Sequence, residues 1–118
     1  TIVVSTPYMD EAMRCDRVAL IQKGQILTID EPEKIREGFS RKLFSVKATD
    51  KYHLLIALRN FAGVLTAYPF GDSVHVTFRN DDADPSVSGY LKEIGITDAE
   101  IRETRAGIED RFLELMGE

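Results

Sequence analysis

Five groups of side chains in this sequence are of types that could do chemistry: the pair Asp10 and Glu11, the thiol of Cys15, the imidazoles of His53 and His75, and the acidic cluster Asp81, Asp82 and Asp84. Asp10 and Glu11 resemble the paired carboxylates of acid–base catalysis, but adjacent residues on a helix point in different directions. They therefore read as first-turn charges opposing a helix macrodipole. Cys15 stands alone, so it cannot close an intramolecular disulfide, and it reads as a small buried apolar side chain in a reducing compartment. Neither histidine has a second histidine or cysteine at metal-ligand spacing, which makes both surface histidines rather than ligands or bases. The three aspartates suggest a calcium loop, yet the other ligand positions and the distal glutamate are lacking. A solvated turn and helix cap is the reading they support.

The elements that must position these groups begin at once. Ile2, Val3 and Val4 are a β-branched apolar run, as in a strand covered on both faces of a parallel sheet. Ser5, Thr6 and Pro7 interrupt it at the carboxyl end, where open α/β sheets hold their ligand-contacting loops, and Pro7 biases Thr6 to an extended conformation. A short helix is expected from residue 9 to 15, with Met9, Ala12 and Met13 on its apolar side. Residues 17–22 and 25–29 form a hairpin about Lys23 and Gly24. Pro32 and the surrounding acids open a helix ended by Gly38.

These residues resemble the ATP-binding subunits of ABC transporters, over the part that runs from the switch-histidine loop to the end of the nucleotide-binding domain. The resemblance rests on Thr1-Ile2-Val3-Val4-Ser5-Thr6, Tyr8-Met9-Asp10-Glu11-Ala12, Cys15-Asp16-Arg17-Val18-Ala19-Leu20-Ile21 and Lys23-Gly24-Gln25-Ile26-Leu27. It implies that Ser5, Thr6 and Pro7 lie nearest the γ-phosphate of ATP in the intact assembly. In most of the family a histidine follows the Ser-Thr pair and approaches the γ-phosphate and the attacking water. Here Pro7 stands in that place, and proline has no side-chain donor, no titratable nitrogen and no backbone N–H. Two readings stay open: a degenerate site that binds ATP and pairs with a competent one, or a loop shaped by Pro7 while another residue positions the water. Tyr8 reads as an aromatic packed at the helix entry, with a contact to nucleotide or to a neighbouring subunit as the alternative.

With 20 acidic against 15 basic residues among 118, net charge −5, the chain lacks the basic excess of a general nucleic-acid binder. No apolar run has the length of a membrane span and no signal peptide is visible, so any membrane step falls to a partner. The phosphate loop Gly-x-x-x-x-Gly-Lys-Ser/Thr and the Ser-Gly-Gly signature are missing from the sequence, and no apolar strand ending in Asp-Glu stands ahead of the Ser5-Thr6-Pro7 loop. This polypeptide alone should not hydrolyse ATP. Its start at Thr1, without a methionine and with a strand pattern at once, marks it as an expected piece of a longer protein.

From Leu43 the pattern changes. Phe44, Val46 and Ala48 alternate with Ser45 and Lys47 as a half-buried strand requires. Thr49-Asp50 caps a helix over residues 51–61 with Leu54, Leu55, Leu58, Phe61 and Ala62 as its stripe. Residues 64–68 and 73–79 read as a hairpin whose second strand turns Val74, Val76 and Phe78 one way and His75, Thr77 and Arg79 the other. Asp84-Pro85 opens a helix carrying Val87, Leu91 and Ile94, and residues 99–104 form a weak edge strand. Strand, helix, strand, strand, helix, strand is the ferredoxin-like order. A final helix, residues 108–116, aligns Ile108, Phe112, Leu115 and Met116, and the stretch Gly107 to Met116 also resembles the terminal helix of exporter-type ABC ATPase subunits.

The sequence thus predicts an α/β (α+β) chain in two segments. Residues 1–40 are the carboxyl-terminal remnant of a P-loop nucleotide-binding domain, and residues 41–118 a ferredoxin-like βαββαβ extension with an extra terminal helix. The resemblance implies an intact ATPase that binds ATP and Mg between two such subunits or domains and drives export through a transmembrane permease subunit. It would sit in the cytoplasm, peripheral to the inner face of the cell membrane, with no nucleic-acid partner. The rival is a stand-alone regulatory or dimerisation module of ferredoxin-like fold without ATPase activity.

Overall fold

The structure is a computed structural model that describes residues 2–80 and 85–116. It is a mixed α+β chain with antiparallel sheets and, among the described residues, five helices. The chain divides into two compact units: Thr1–Ser40 with Ala106–Glu118 (unit 1), and Arg41–Arg105 (unit 2). The last helix, read from sequence as part of the second segment, belongs by its contacts to unit 1.

Unit 1 contains α1 (Met9–Ala12), β1 (Val18–Gln22), β2 (Gln25–Asp30), α2 (Pro32–Glu37) and α5 (Ile108–Met116). β1 and β2 form an antiparallel hairpin with an irregularity between Leu20 and Ile21. Its two-residue turn has Lys23 at φ 52° and Gly24 at φ 75°, the positive pair whose twist matches that of the flanking strands. α2 starts on Pro32, whose missing N–H costs nothing at a helix start. It ends at Gly38, where the backbone N–H reaches Lys34 O and Ile35 O, both at 3.2 Å. A Cβ on Gly38 would stand 3.1 Å from Arg111 Nε of α5, so a side chain here would require the Arg111 guanidinium to give by a few tenths of an ångström. Asp110, buried at the start of α5, accepts from the Gly107 N–H at 2.8 Å. Glu114 accepts from the Ser40 hydroxyl at 2.7 Å, and Arg36 Nη1 donates to Ala106 O at 3.4 Å. Ala12, Leu20, Ile35 and Ile108 are the buried centre, with Met9, Val18, Leu27, Phe112 and Leu115 around them.

Two expectations for unit 1 fail. Residues 2–4 form no strand: Ile2 and Val3 are each 91% exposed, because an apolar run becomes a strand only when a neighbour accepts its ladder. Helix α1 stops at Ala12, so Met13 and Cys15 fall outside it, and Met13 is exposed rather than on the apolar side.

Unit 2 contains β3 (Leu43–Lys47), α3 (Lys51–Arg59), β4 (Val64–Phe70), β5 (Ser73–Phe78), α4 (Ser86–Glu93) and β6 (Glu100–Thr104). The strands lie in the order β4-β5-β3-β6, and each neighbouring pair is antiparallel. β3 and β4 therefore run the same way with β5 between them. Asp50 caps α3 by accepting from the His53 N–H at 3.0 Å, as its sequence predicts. Alternation along β5 turns Val74, Val76 and Phe78 inward, each no more than 1% exposed, against Leu54 and Leu58 of α3 and Val87 and Leu91 of α4. Phe44 and Phe78 meet edge to face at 5.4 Å. The Tyr90 hydroxyl donates to Ala57 O at 3.1 Å, joining α4 to α3. The Asp98 carboxylate accepts from the Thr49 N–H at 2.8 Å and from the Thr49 hydroxyl, joining the loops ahead of α3 and β6.

Candidate functional site

Ser5, Thr6 and Pro7 stand as one turn ahead of α1, Ser5 and Pro7 exposed and Thr6 half-buried. Thr6 Oγ1 accepts from the Tyr8 N–H at 3.0 Å, a hydroxyl-to-backbone turn that brackets Pro7. The Glu11 N–H then donates to Tyr8 O at 3.2 Å and leads the chain into α1. The turn presents two hydroxyls and a proline ring, with no titratable group among them. Asp10 and Glu11 both face solvent, on the four residues of α1.

Two side chains beside this turn depart from expectation. Tyr8 is 65% exposed and not packed at the helix entry. Cys15 is exposed rather than buried, since α1 ends before it and its backbone follows the turn; its Sγ lies 3.8 Å from Glu11 O.

The outward face of the unit 2 sheet is a second surface. Cross-strand register sets Tyr68, His75, Ser45 and Arg102 in one row across the four strands. Phe70 stacks on His75 at 4.2 Å and an interplanar angle of 13°. Beside them a shallow open recess of about 340 Å³ is lined by Ser45, Lys47, Asp72, Ser73, Glu100 and Arg102. Lys47 Nζ stands 3.0 Å from Asp72 Oδ2, and this contact holds the Asp72 carboxyl below its ordinary range. His75 is half-buried and His53 exposed on α3. Thr77, expected to face outward, is 3% exposed, its hydroxyl against that of Thr66 at 2.5 Å.

Aromatics thus do occupy the open sheet face, contrary to the picture from β5 alone. Tyr68 and Phe70 come from β4, and only the register reveals that they share a face with His75. The recess balances two cations, Lys47 and Arg102, with two carboxylates, Asp72 and Glu100. Nucleic-acid backbones call for a cationic excess, and the lining of this recess has none. No group of three or more potential metal ligands converges among the described residues, and Asp81, Asp82 and Asp84 lie outside them. No helix among the described residues is long and apolar enough to cross a membrane. The chain matches no known protein family and no curated protein.

Proposed function

We propose that this chain is the carboxyl-terminal part of the ATP-binding subunit of an exporter-type ABC transporter. In this reading the intact subunit binds ATP and Mg between two such subunits or domains, at the inner face of the cell membrane. It couples hydrolysis to export through a transmembrane permease subunit. Ser5, Thr6 and Pro7 would lie nearest the γ-phosphate, and unit 2 would be a ferredoxin-like extension. The strand order β4-β5-β3-β6 and the alternation of strands and helices favour that fold for unit 2.

The observation that carries the reading is the uncovered apolar surface of unit 1. Across the hairpin, Ala19 pairs with Ile29 and Ile21 with Ile26 on its outward face, and the three isoleucines are 48–59% exposed. Ile2, Val3 and Val4 add to it at 63–91%. Apolar surface of this kind marks an interaction or packing site, as expected where further layers of a nucleotide-binding domain would seat. In support, the chain's two ends, which carry the resemblance, share one cluster: Ala12 and Leu20 with Ile108.

The test is the coding sequence directly upstream of the Thr1 codon. A phosphate loop, a Ser-Gly-Gly signature and a strand ending in Asp-Glu, in that order, are expected. A start codon immediately ahead of Thr1 would overturn the reading and leave a stand-alone module. In the intact subunit, Pro7→His would then separate the two roles left for Pro7. A rise in ATPase rate marks a degenerate site, and an unchanged or lower rate marks a loop whose shape depends on proline.

A further inference from the structure

The four-stranded sheet of unit 2 ends in two unlike edges. β4 carries Pro69, which has no N–H to offer a further strand, and its pairing with β5 is irregular between Val64 and Thr66. β6 has neither feature. Its five residues are Glu-Ile-Arg-Glu-Thr, in unbroken register with Leu43 to Lys47 of β3, and Glu100, Arg102 and Glu103 are exposed. Its short length and its charges discourage pairing with an arbitrary strand, and leave the edge open to one whose charges complement its own.

We propose that β6 pairs with β6 of a second copy of this chain, antiparallel across a two-fold axis through Ile101. In a continuous sheet the axis is normal to the sheet, so it must pass through a residue rather than between two, and each residue faces one of the same side. The charges of β6 then select among registers. An axis through Arg102 sets Arg102 against itself, and one through Glu100 or Glu103 sets glutamate against glutamate. An axis through Thr104 overlaps the two strands at a single residue. With the axis through Ile101, Glu100 faces Arg102 of the second copy and Arg102 faces Glu100, making two opposite-charge pairs on the outward face. Ile101, half-buried and packed against the core, meets its own copy on the other face. The occupant of this edge is a second copy of the chain because the strand is complementary to itself in that register. The inference goes beyond the transporter reading and does not rest on it.

The test uses the full 118-residue chain in sedimentation equilibrium. Wild type is expected to dimerise with a concentration-dependent mass. Glu100→Arg sets arginine against arginine, and Arg102→Glu sets glutamate against glutamate, so each variant alone should dimerise at least tenfold more weakly. In an equimolar mixture of the two variants, both cross-strand pairs of the mixed dimer again join an arginine to a glutamate, and wild-type association should return. Recovery also shows that both variants are folded. A wild type that stays monomeric, single variants that dimerise like wild type, or a mixture that fails to recover would each overturn the proposal. None of these results alters what lies upstream of Thr1, so the two proposals fail separately.

Discussion

Unit 2 closes its core and unit 1 does not. Thirteen side chains form the buried cluster of unit 2, whereas four form that of unit 1. Of the twelve large apolar side chains that are exposed among the described residues, nine belong to unit 1: Ile2, Val3, Val4, Tyr8, Met13, Ile21, Ile26, Ile29 and Met116. In unit 2 a four-stranded sheet is covered on one face by two helices. In unit 1 a two-stranded hairpin, which is marginal alone, is covered on one face and left apolar on the other. Unit 2 thus buries most of its apolar side chains within itself, whereas unit 1 leaves many of its own exposed.

The sharpest way to break this contrast is to open the closed core. Phe78→Ala removes a ring that is 1% exposed and packed edge to face on Phe44; it should cost about 3–5 kcal/mol, measured as a lower urea midpoint. A loss below about 1 kcal/mol would mean that the core repacks readily. Ile108→Ala in the small cluster should cost about 2 kcal/mol, the low end for such a truncation, and is expected to appear in hydrogen exchange as lost protection in α5 and β1. Smaller still, Ile21→Thr with Ile26→Thr should move stability by no more than about 0.5 kcal/mol, as surface changes do, while lowering the fluorescence of an apolar dye. A larger loss of stability would show that the face is covered in solution, and the contrast between the units would fall with it.

The smallest effect concerns pH. Hydrogen bonds from the Thr49 hydroxyl, and then from the Thr49 N–H, hold the Asp98 carboxyl below its ordinary value. The charged form is therefore favoured by the folded state. Its contribution is complete above the ordinary carboxylate pKa of about 4 and is lost as pH falls through the lower folded value. Thermal melts of wild type and Asp98→Asn should converge in stability as pH falls through that range. A constant gap between them would remove this tie from the account of unit 2.

Much of unit 2 was legible because local pattern and tertiary packing agree there. Val74, Val76 and Phe78 alternate on the strand that lies inside the sheet, and Leu54 and Leu58 recur one helical turn apart on the face that α3 buries. The hairpin of unit 1 was legible for a similar reason, since Lys23 and Gly24 specify the turn on their own. What escaped depends on partners distant in sequence. Residues 2–4 have the composition of a strand but no adjoining strand. Tyr68 and Phe70 join His75 only through the register of β4 on β5. Cys15 was expected to be buried on a helix that ends three residues too soon. Of the proposed site, Ser5, Thr6 and Pro7 were legible as a turn, and the bond from the Tyr8 N–H to Thr6 Oγ1 came from the structure.

The exposure of Cys15 has a practical consequence. It is the only cysteine in the chain, so a thiol-reactive fluorophore or spin label attaches at one point, next to α1, and unit 2 takes none. A reporter placed there is attached to unit 1, and any partner that seats on that unit near α1 can be followed without altering a single residue.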